Sequence, residues 1–243
     1  MVTPSADTGP LVAGEDPLFN EWSVRGGRID ADDRDRLIRR YSFAVPSRAA
    51  VRAIGDRAGT GVVELGAGNG YWSRLLADAG IEVVAYDLDP APSERNPWYA
   101  GMPSWFEVVS GDESVVVAHS DRALLLVWPT KNEVWPADAI ERFAGAGGTT
   151  VLYVGEGAGG RTGDDRFHAI LGEYERCASC ALGIPTVPCI CGVRPAFRRV
   201  ETIELPHWDG WTDDLYVYER DDSRGPIGPK PSRHQGRWRR GSS

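Results

Sequence analysis

Apolar and polar positions along the chain alternate between two rhythms. Residues 31–41 and 47–56 carry apolar positions at helical spacing, the second stretch opening after Pro46 with Ser47 as its N-cap. Residues 61–65 are a short apolar run ending at Gly66, as a buried strand would be. Helical spacing returns over 70–79, with Trp72, Leu75, Leu76 and Ala79 on one face and Gly80 as the stop. Strands follow over 81–86, 105–110, 123–128 and 149–154, and helices over 137–143 and 165–176. Two strands, 197–204 and 215–219, close the pattern with no helix between them.

Strands alternating with helices predict a mostly parallel sheet covered on both faces, and the final pair predicts an antiparallel edge. The expected fold is a doubly wound, Rossmann-like α/β sheet with a helical N-terminal extension. Residues 1–17 read as a disordered N-terminus, 18–58 as a helical cap, 59–220 as the main domain and 221–243 as a disordered tail. No apolar run approaches the ~20 residues that cross a bilayer. Residues 1–17 lack the basic and apolar regions of a secretory signal, so the expected setting is the cytoplasm, with no membrane partner. The net charge of −8 argues against a broad nucleic-acid-binding face. Charge is uneven, however: from residue 224 onward there are six basic residues and no acidic one, which leaves the tail as the one hint of an RNA- or acid-binding arm.

The sharpest local signal is Glu64-Leu65-Gly66-Ala67-Gly68-Asn69-Gly70-Tyr71-Trp72, a strand running through three alternating glycines into a helix. Such a turn permits positive φ, and the helix N-terminus offers N–H donors to a carboxylate or phosphate. The next strand ends at Asp87, where a carboxylate can accept both hydroxyls of a ribose. The G-x-G-x-G spacing differs from the G-x-G-x-x-G of nicotinamide sites. Glu64, two residues before the first glycine, can face a ligand ammonium. A ribose, an ammonium and a carboxylate occur together in S-adenosylmethionine.

With these motifs the chain resembles the class I S-adenosylmethionine-dependent methyltransferases over roughly residues 40–220. The resemblance assigns Glu64, Gly66, Gly68 and Gly70 to the methionine end of the cofactor, with Ala67, Tyr71, Trp72 and Trp128 as further cofactor-binding residues. It assigns Asp87 to the ribose, Leu88 to the adenine ring and Asp112 to the adenine amino group. Further stretches are similar to a subgroup with an aromatic-Pro-Ser lead-in (41–47), Gly70-Tyr71-Trp72, a fourth strand ending Trp128-Pro129 and a fifth ending Val154-Gly155-Glu156. Thr130 departs from that pattern, which more often has a second proline.

Ligands in open α/β sheets lie beyond the strand C-termini. Trp128 is therefore a candidate wall for cofactor and acceptor, and Tyr41 and Phe43 are candidates for a lid. Glu156 and His168 are candidate general bases, with Asp164 third. Cys177, Cys180, Cys189 and Cys191 fall within fifteen residues as C-x2-C-x8-C-x-C, in an insertion over 177–191. Four thiolates can complete a structural zinc shell; disulfides and unliganded thiols are the alternatives. The expected activity is methyl transfer from S-adenosylmethionine to an O or N atom of a small molecule. RNA or protein methylation through the basic tail, cofactor binding without turnover, and nicotinamide chemistry are the competing readings.

Overall fold

The computed structural model describes residues 28–29, 31–174, 193 and 195–222. The four cysteines, residues 1–17 and the basic tail from 224 lie outside the described residues, so the zinc, disulfide and tail expectations find no structural counterpart here.

Chain order is β1 (Arg28–Ile29), α1 (Ala31–Arg40), α2 (Arg48–Arg57), β2 (Val62–Leu65), α3 (Tyr71–Asp78), β3 (Val83–Asp87) and β4 (Val108–Ser110). A 3-10 turn (Val115–His119) leads to β5 (Ala123–Val127), α4 (Trp135–Gly145), β6 (Thr150–Gly155), α5 (Asp165–Ile170), β7 (Phe197–Glu204), β8 (His207–Trp208) and β9 (Asp214–Arg220). Seven strands form one sheet in the order β4-β3-β2-β5-β6-β9-β7, and β1 pairs with β8 separately. The strands β4, β3, β2, β5 and β6 run parallel. The strand β9 inserts antiparallel between β6 and β7. The sheet is thus doubly wound and mostly parallel with an antiparallel edge, as the sequence pattern predicts.

Alternating side chains divide the core between the two faces. One cluster joins Val62, Leu125, Leu152, Val154 and Val217 to Val51 and Ile54 of α2 and Leu75 and Leu76 of α3. The other joins Val63, Leu124, Leu126, Val151 and Tyr153 to Ile140 and Phe143 of α4 and Phe167 and Ile170 of α5. The Ser47 hydroxyl caps α2 by accepting from Ala50 N at 3.1 Å.

Two expected elements are shorter than their periodicity by three residues or more. The third parallel strand begins at Val108, not 105, because Trp105 turns away to donate its indole N–H to Arg40 O at 2.7 Å. The helix α5 stops at Ile170, where Ala196 N binds the Ile170 carbonyl at 2.8 Å and Gly172 takes φ 81°.

Candidate functional site

The chain order of strands reverses between β2 and β5, and ligands of such sheets bind in the crevice at that point. A cavity of about 340 Å³ opens there. Four parallel strands feed it: residues 64–68 from the end of β2, 87–89 beyond β3, 111–113 beyond β4, and Val127, Trp128 and Thr130 from β5. Glu64, Gly66, Ala67, Gly68, Tyr71, Trp72, Asp87, Leu88, Asp112 and Trp128 all line this cavity. Gly70 does not. It is the N-cap of α3 with φ 77°, and a Cβ there would meet Phe106 at 2.8 Å.

The glycine turn differs in one respect from its expected role. Most of its amides are engaged within the protein: Gly66 N and Ala67 N donate to Tyr86 O at 2.8 and 2.9 Å, and Gly70 N donates to Ala67 O at 2.8 Å. Gly68 N donates to Asp87 Oδ2 at 2.9 Å, and Tyr71 N to Asn69 Oδ1 at 3.1 Å. A Cβ at Gly68, where φ is 58°, would lie 2.5 Å from the Tyr99 ring; one at Gly66 would lie 2.9 Å from Trp135. The glycines therefore admit the protein's own rings to the cavity wall.

Two carboxylates are set into this wall. Glu64 is buried and accepts from the Ser73 hydroxyl. Burial pushes its carboxyl up to about 7, against the lowering effect of the Ser73 bonds, and the Asp87 charge adds to the rise. Asp87 accepts from Gly68 N and, through Oδ1, from Asp89 N at 3.0 Å. Burial raises its pKa while those two amides pull it back. Both oxygens are thus oriented by backbone, as a group that must receive ligand hydroxyls requires. Asp112 is exposed, and the Ser114 hydroxyl and amide hold its carboxyl below the ordinary range.

Aromatic rings complete the enclosure. Trp128 adopts φ 51°, an uncommon left-handed conformation for a bulky residue at a strand end. Its indole stacks on Phe43 at 5.0 Å and on Trp211 at 4.5 Å, so it is a packed wall more than a bare flat face. Trp98 meets Phe43 edge-on at 5.0 Å. The lead-in segment is fixed in place. Indole N–H groups of Trp105, Trp72 and Trp208 donate to Arg40 O (2.7 Å), Ser42 Oγ (3.3 Å) and Phe43 O (2.7 Å). Phe43 is accordingly a fixed part of the roof. Tyr41 is no lid: it is buried against Trp105 and Tyr71.

The candidate bases are not brought to the cavity. Glu156 is buried beyond β6, with Arg161 Nη1 on Oε1 at 2.5 Å, Arg161 N on Oε2 at 2.8 Å and Thr212 N on Oε1 at 3.3 Å. His168 is buried rather than at the surface, and its ring nitrogens face Glu173 Oε2 at 2.7 Å and Thr162 O at 2.9 Å. Both ring nitrogens are thus engaged by these two oxygens, and His168 is not among the residues that line the cavity. Asp164 caps α5 by accepting from Phe167 N at 2.7 Å. These three side chains stabilise their own surroundings.

Sequence reasoning misses Asn96, Trp98, Tyr99 and Trp135, which also line the cavity. The first three lie in an irregular loop with no periodicity, folded by Asn96 accepting from Trp98 N and Tyr99 N at 3.0 and 2.9 Å. Burial and the nearby Asp87 and Glu64 charges push the Tyr99 phenol above its usual value. Asp213 is missed as well. It is fully buried, neither carboxyl oxygen makes a hydrogen bond, and burial raises it to about 7, with the Trp128 indole beside it as the chief opposing influence. Among the described residues no cluster of three or more potential ligands could hold a metal, and no helix is long and apolar enough to cross a membrane.

No family model matches the chain, and no curated protein matches it in sequence. Similar solved structures include magnesium protoporphyrin IX methyltransferase from Synechocystis with bound S-adenosylmethionine, at 13% identity, TM-score 0.40, over 86% of this chain and 87% of that one. Another is 1,6-didemethyltoxoflavin-N1-methyltransferase from Burkholderia thailandensis, at 14% identity, TM-score 0.39, over 72% of this chain and 78% of that one. A 23S rRNA methyltransferase aligns at 18% identity, TM-score 0.37, over 74% of this chain and 70% of that one. At such distances the chemistry has to be read from the site itself.

Proposed function

We propose that the chain is an S-adenosylmethionine-dependent methyltransferase acting on an O or N atom of a small molecule. The observation that carries this reading is the meeting, in one cavity at the sheet's reversal point, of the buried Glu64, the backbone-oriented Asp87 and a ring of aromatic side chains. The residues suit the cofactor's chemistry. Glu64 would face the ammonium, Asp87 would accept the ribose hydroxyls, and Leu88 and Asp112 stand where the adenine would be held. Bound there, S-adenosylmethionine supplies a methyl group already activated by its sulfonium.

The protein's share of the chemistry is then alignment and exclusion of water. Good alignment contributes about 7–11 kcal/mol in favourable cases. Phe43 and Trp128, locked by stacking and by the Trp208 bond, are suited to that role because they do not reorganise when an acceptor arrives. Neither Glu156 nor His168 serves as base in this reading, since each is committed elsewhere. The test is formation of S-adenosylhomocysteine from S-adenosylmethionine on incubation with pools of small amines, phenols and heteroaromatics. Product dependent on one pool, and lost in Asp87→Ala, supports the assignment; no product from any pool counts against turnover.

A further inference from the structure

His168 lies on α5 with a side chain only 2% exposed. Its Nδ1 stands 2.7 Å from Glu173 Oε2 and its Nε2 2.9 Å from Thr162 O. A peptide carbonyl only accepts, and so does an ionised carboxylate. Glu173 is placed to be ionised. Its Oε2 also takes the Ala158 amide at 3.1 Å, its Oε1 takes the Tyr218 hydroxyl, and the Arg199 guanidinium lies 3.9 Å from Oε1. Burial raises its carboxyl, but the His168 and Tyr218 bonds and the Arg199 charge outweigh burial and bring it below the ordinary range. A neutral imidazole has one N–H and would press a lone pair against one of these two oxygens, with almost no access to solvent. The geometry is satisfied by a ring that carries two N–H groups.

Thr162 passes this anchorage on to the cavity. It forms an antiparallel bridge with Thr130, Gly163 N donates to Pro129 O at 3.0 Å, and Asn132 N donates to Gly163 O at 3.2 Å. The segment gripped in this way, 128–132, supplies Trp128 and Thr130 to the cavity lining. It also holds two non-glycine residues in the left-handed region, Trp128 at φ 51° and Asn132 at φ 61°. Such backbone persists where its surroundings over-determine it. The Thr162 hydroxyl is taken up by Glu156 N and Tyr153, whereas its carbonyl is fastened by His168, which ties it through Glu173 to Tyr218 of β9. Around the ring stand Glu173, Tyr153 and Tyr174, with Phe167 edge-on at 5.0 Å, and Arg199 of β7 faces Glu173.

We propose that His168 is a positioning residue for the cavity wall: with a proton on each ring nitrogen it clamps Thr162 to Glu173, and so fixes the 128–132 segment that carries Trp128 and Thr130. The proposal rests on the methyltransferase reading only in its choice of ligand. The ring acts through Thr162, at one remove from anything bound in the cavity. Removing one partner of the buried pair leaves the other charge without compensation, so Glu173→Gln should cost the ring its second proton.

The experiment is nitrogen–proton NMR of the full, 15N-labelled chain at neutral pH, beside calorimetry with S-adenosylhomocysteine. The His168 ring, identified by its loss in His168→Gln, should show both nitrogens protonated in the parent and one in Glu173→Gln. In His168→Gln the indole N–H signal of Trp128, identified by its loss in Trp128→Phe, should shift or broaden, and S-adenosylhomocysteine should bind about threefold to tenfold more weakly. Where His168→Gln does not fold, Glu173→Gln is read for the same two effects. A parent ring with a single protonated nitrogen overturns the proposal. So does a folded variant whose Trp128 signal and affinity both match the parent's. Parent protein that does not bind S-adenosylhomocysteine refutes the methyltransferase reading instead, and the ring protons and the Trp128 signal still decide the clamp.

Discussion

Trp208 and Phe43 stand 165 positions apart and are joined by one hydrogen bond, from the indole N–H to the Phe43 carbonyl at 2.7 Å. Trp208 is fully buried, so the carbonyl has no ready substitute donor when that indole is removed. Trp208→Phe keeps a ring and deletes the donor. It should lower stability in urea by about 1–2 kcal/mol, and it should weaken S-adenosylhomocysteine binding severalfold because Phe43 roofs the cavity. An unchanged urea midpoint would show that the bond does not hold the roof.

Glu64 makes stability and ligand affinity move in opposite directions with pH. Its carboxyl is raised from 4.5 to about 7 in the folded protein, so the folded state binds more protons than the unfolded state between those values. The contribution of Glu64 to stability is therefore greatest below the unfolded value and declines as pH rises toward about 7. A ligand ammonium prefers the ionised carboxylate, so binding should tighten on going from about pH 6 to about pH 8, by up to about tenfold. Glu64→Gln should flatten that pH dependence. Persistence of the full dependence in the variant would assign it to another group.

Asp213 gives a cleaner stability test, because its carboxyl is fully buried, lacks hydrogen bonds and is raised to about 7. The neutral isostere Asp213→Asn removes a charge that the fold carries at a cost. Above about pH 7 the variant should be more stable than the parent by about 1 kcal/mol or more, and the advantage should vanish near pH 4. Denaturation at both pH values checks this. A variant less stable at high pH would mean that the charge has a partner.

How much of this was legible in the chain depends on whether the information is local. Glu64, the glycine turn and Asp87 follow from a strand–turn–helix pattern within a short window, and the structure gathers them around one cavity. The antiparallel edge follows from two apolar runs without a helix between them, but the insertion of β9 between β6 and β7 does not, since strand order is set by long-range pairing. Tyr99 and Trp98 have no such signature, since side-chain bonds of Asn96 shape their loop rather than any period. His168 sits on a helix as its spacing suggests, but whether it faces solvent or Glu173 is decided by the packing of distant elements. The same holds for the three indoles that pin residues 40–43.

With no cationic side chain among the described residues of the cavity lining, and with the Gly66, Ala67, Gly68 and Gly70 amides bonded internally, a ligand carboxylate would have few partners there. Decarboxylated S-adenosylmethionine should bind within about fivefold of S-adenosylmethionine, or better. Competition against bound S-adenosylhomocysteine measures this. A loss of about a hundredfold would place a cation on that carboxylate.

Titration of the purified chain with S-adenosylhomocysteine, followed by calorimetry beside Asp87→Ala, goes to the heart of the assignment. One equivalent should bind to the parent protein, with affinity reduced by about tenfold or more in the variant through loss of the charge-assisted bonds to the ribose. Absence of heat with folded parent protein, or identical affinity in the two proteins, would contradict the placement of the cofactor in this cavity.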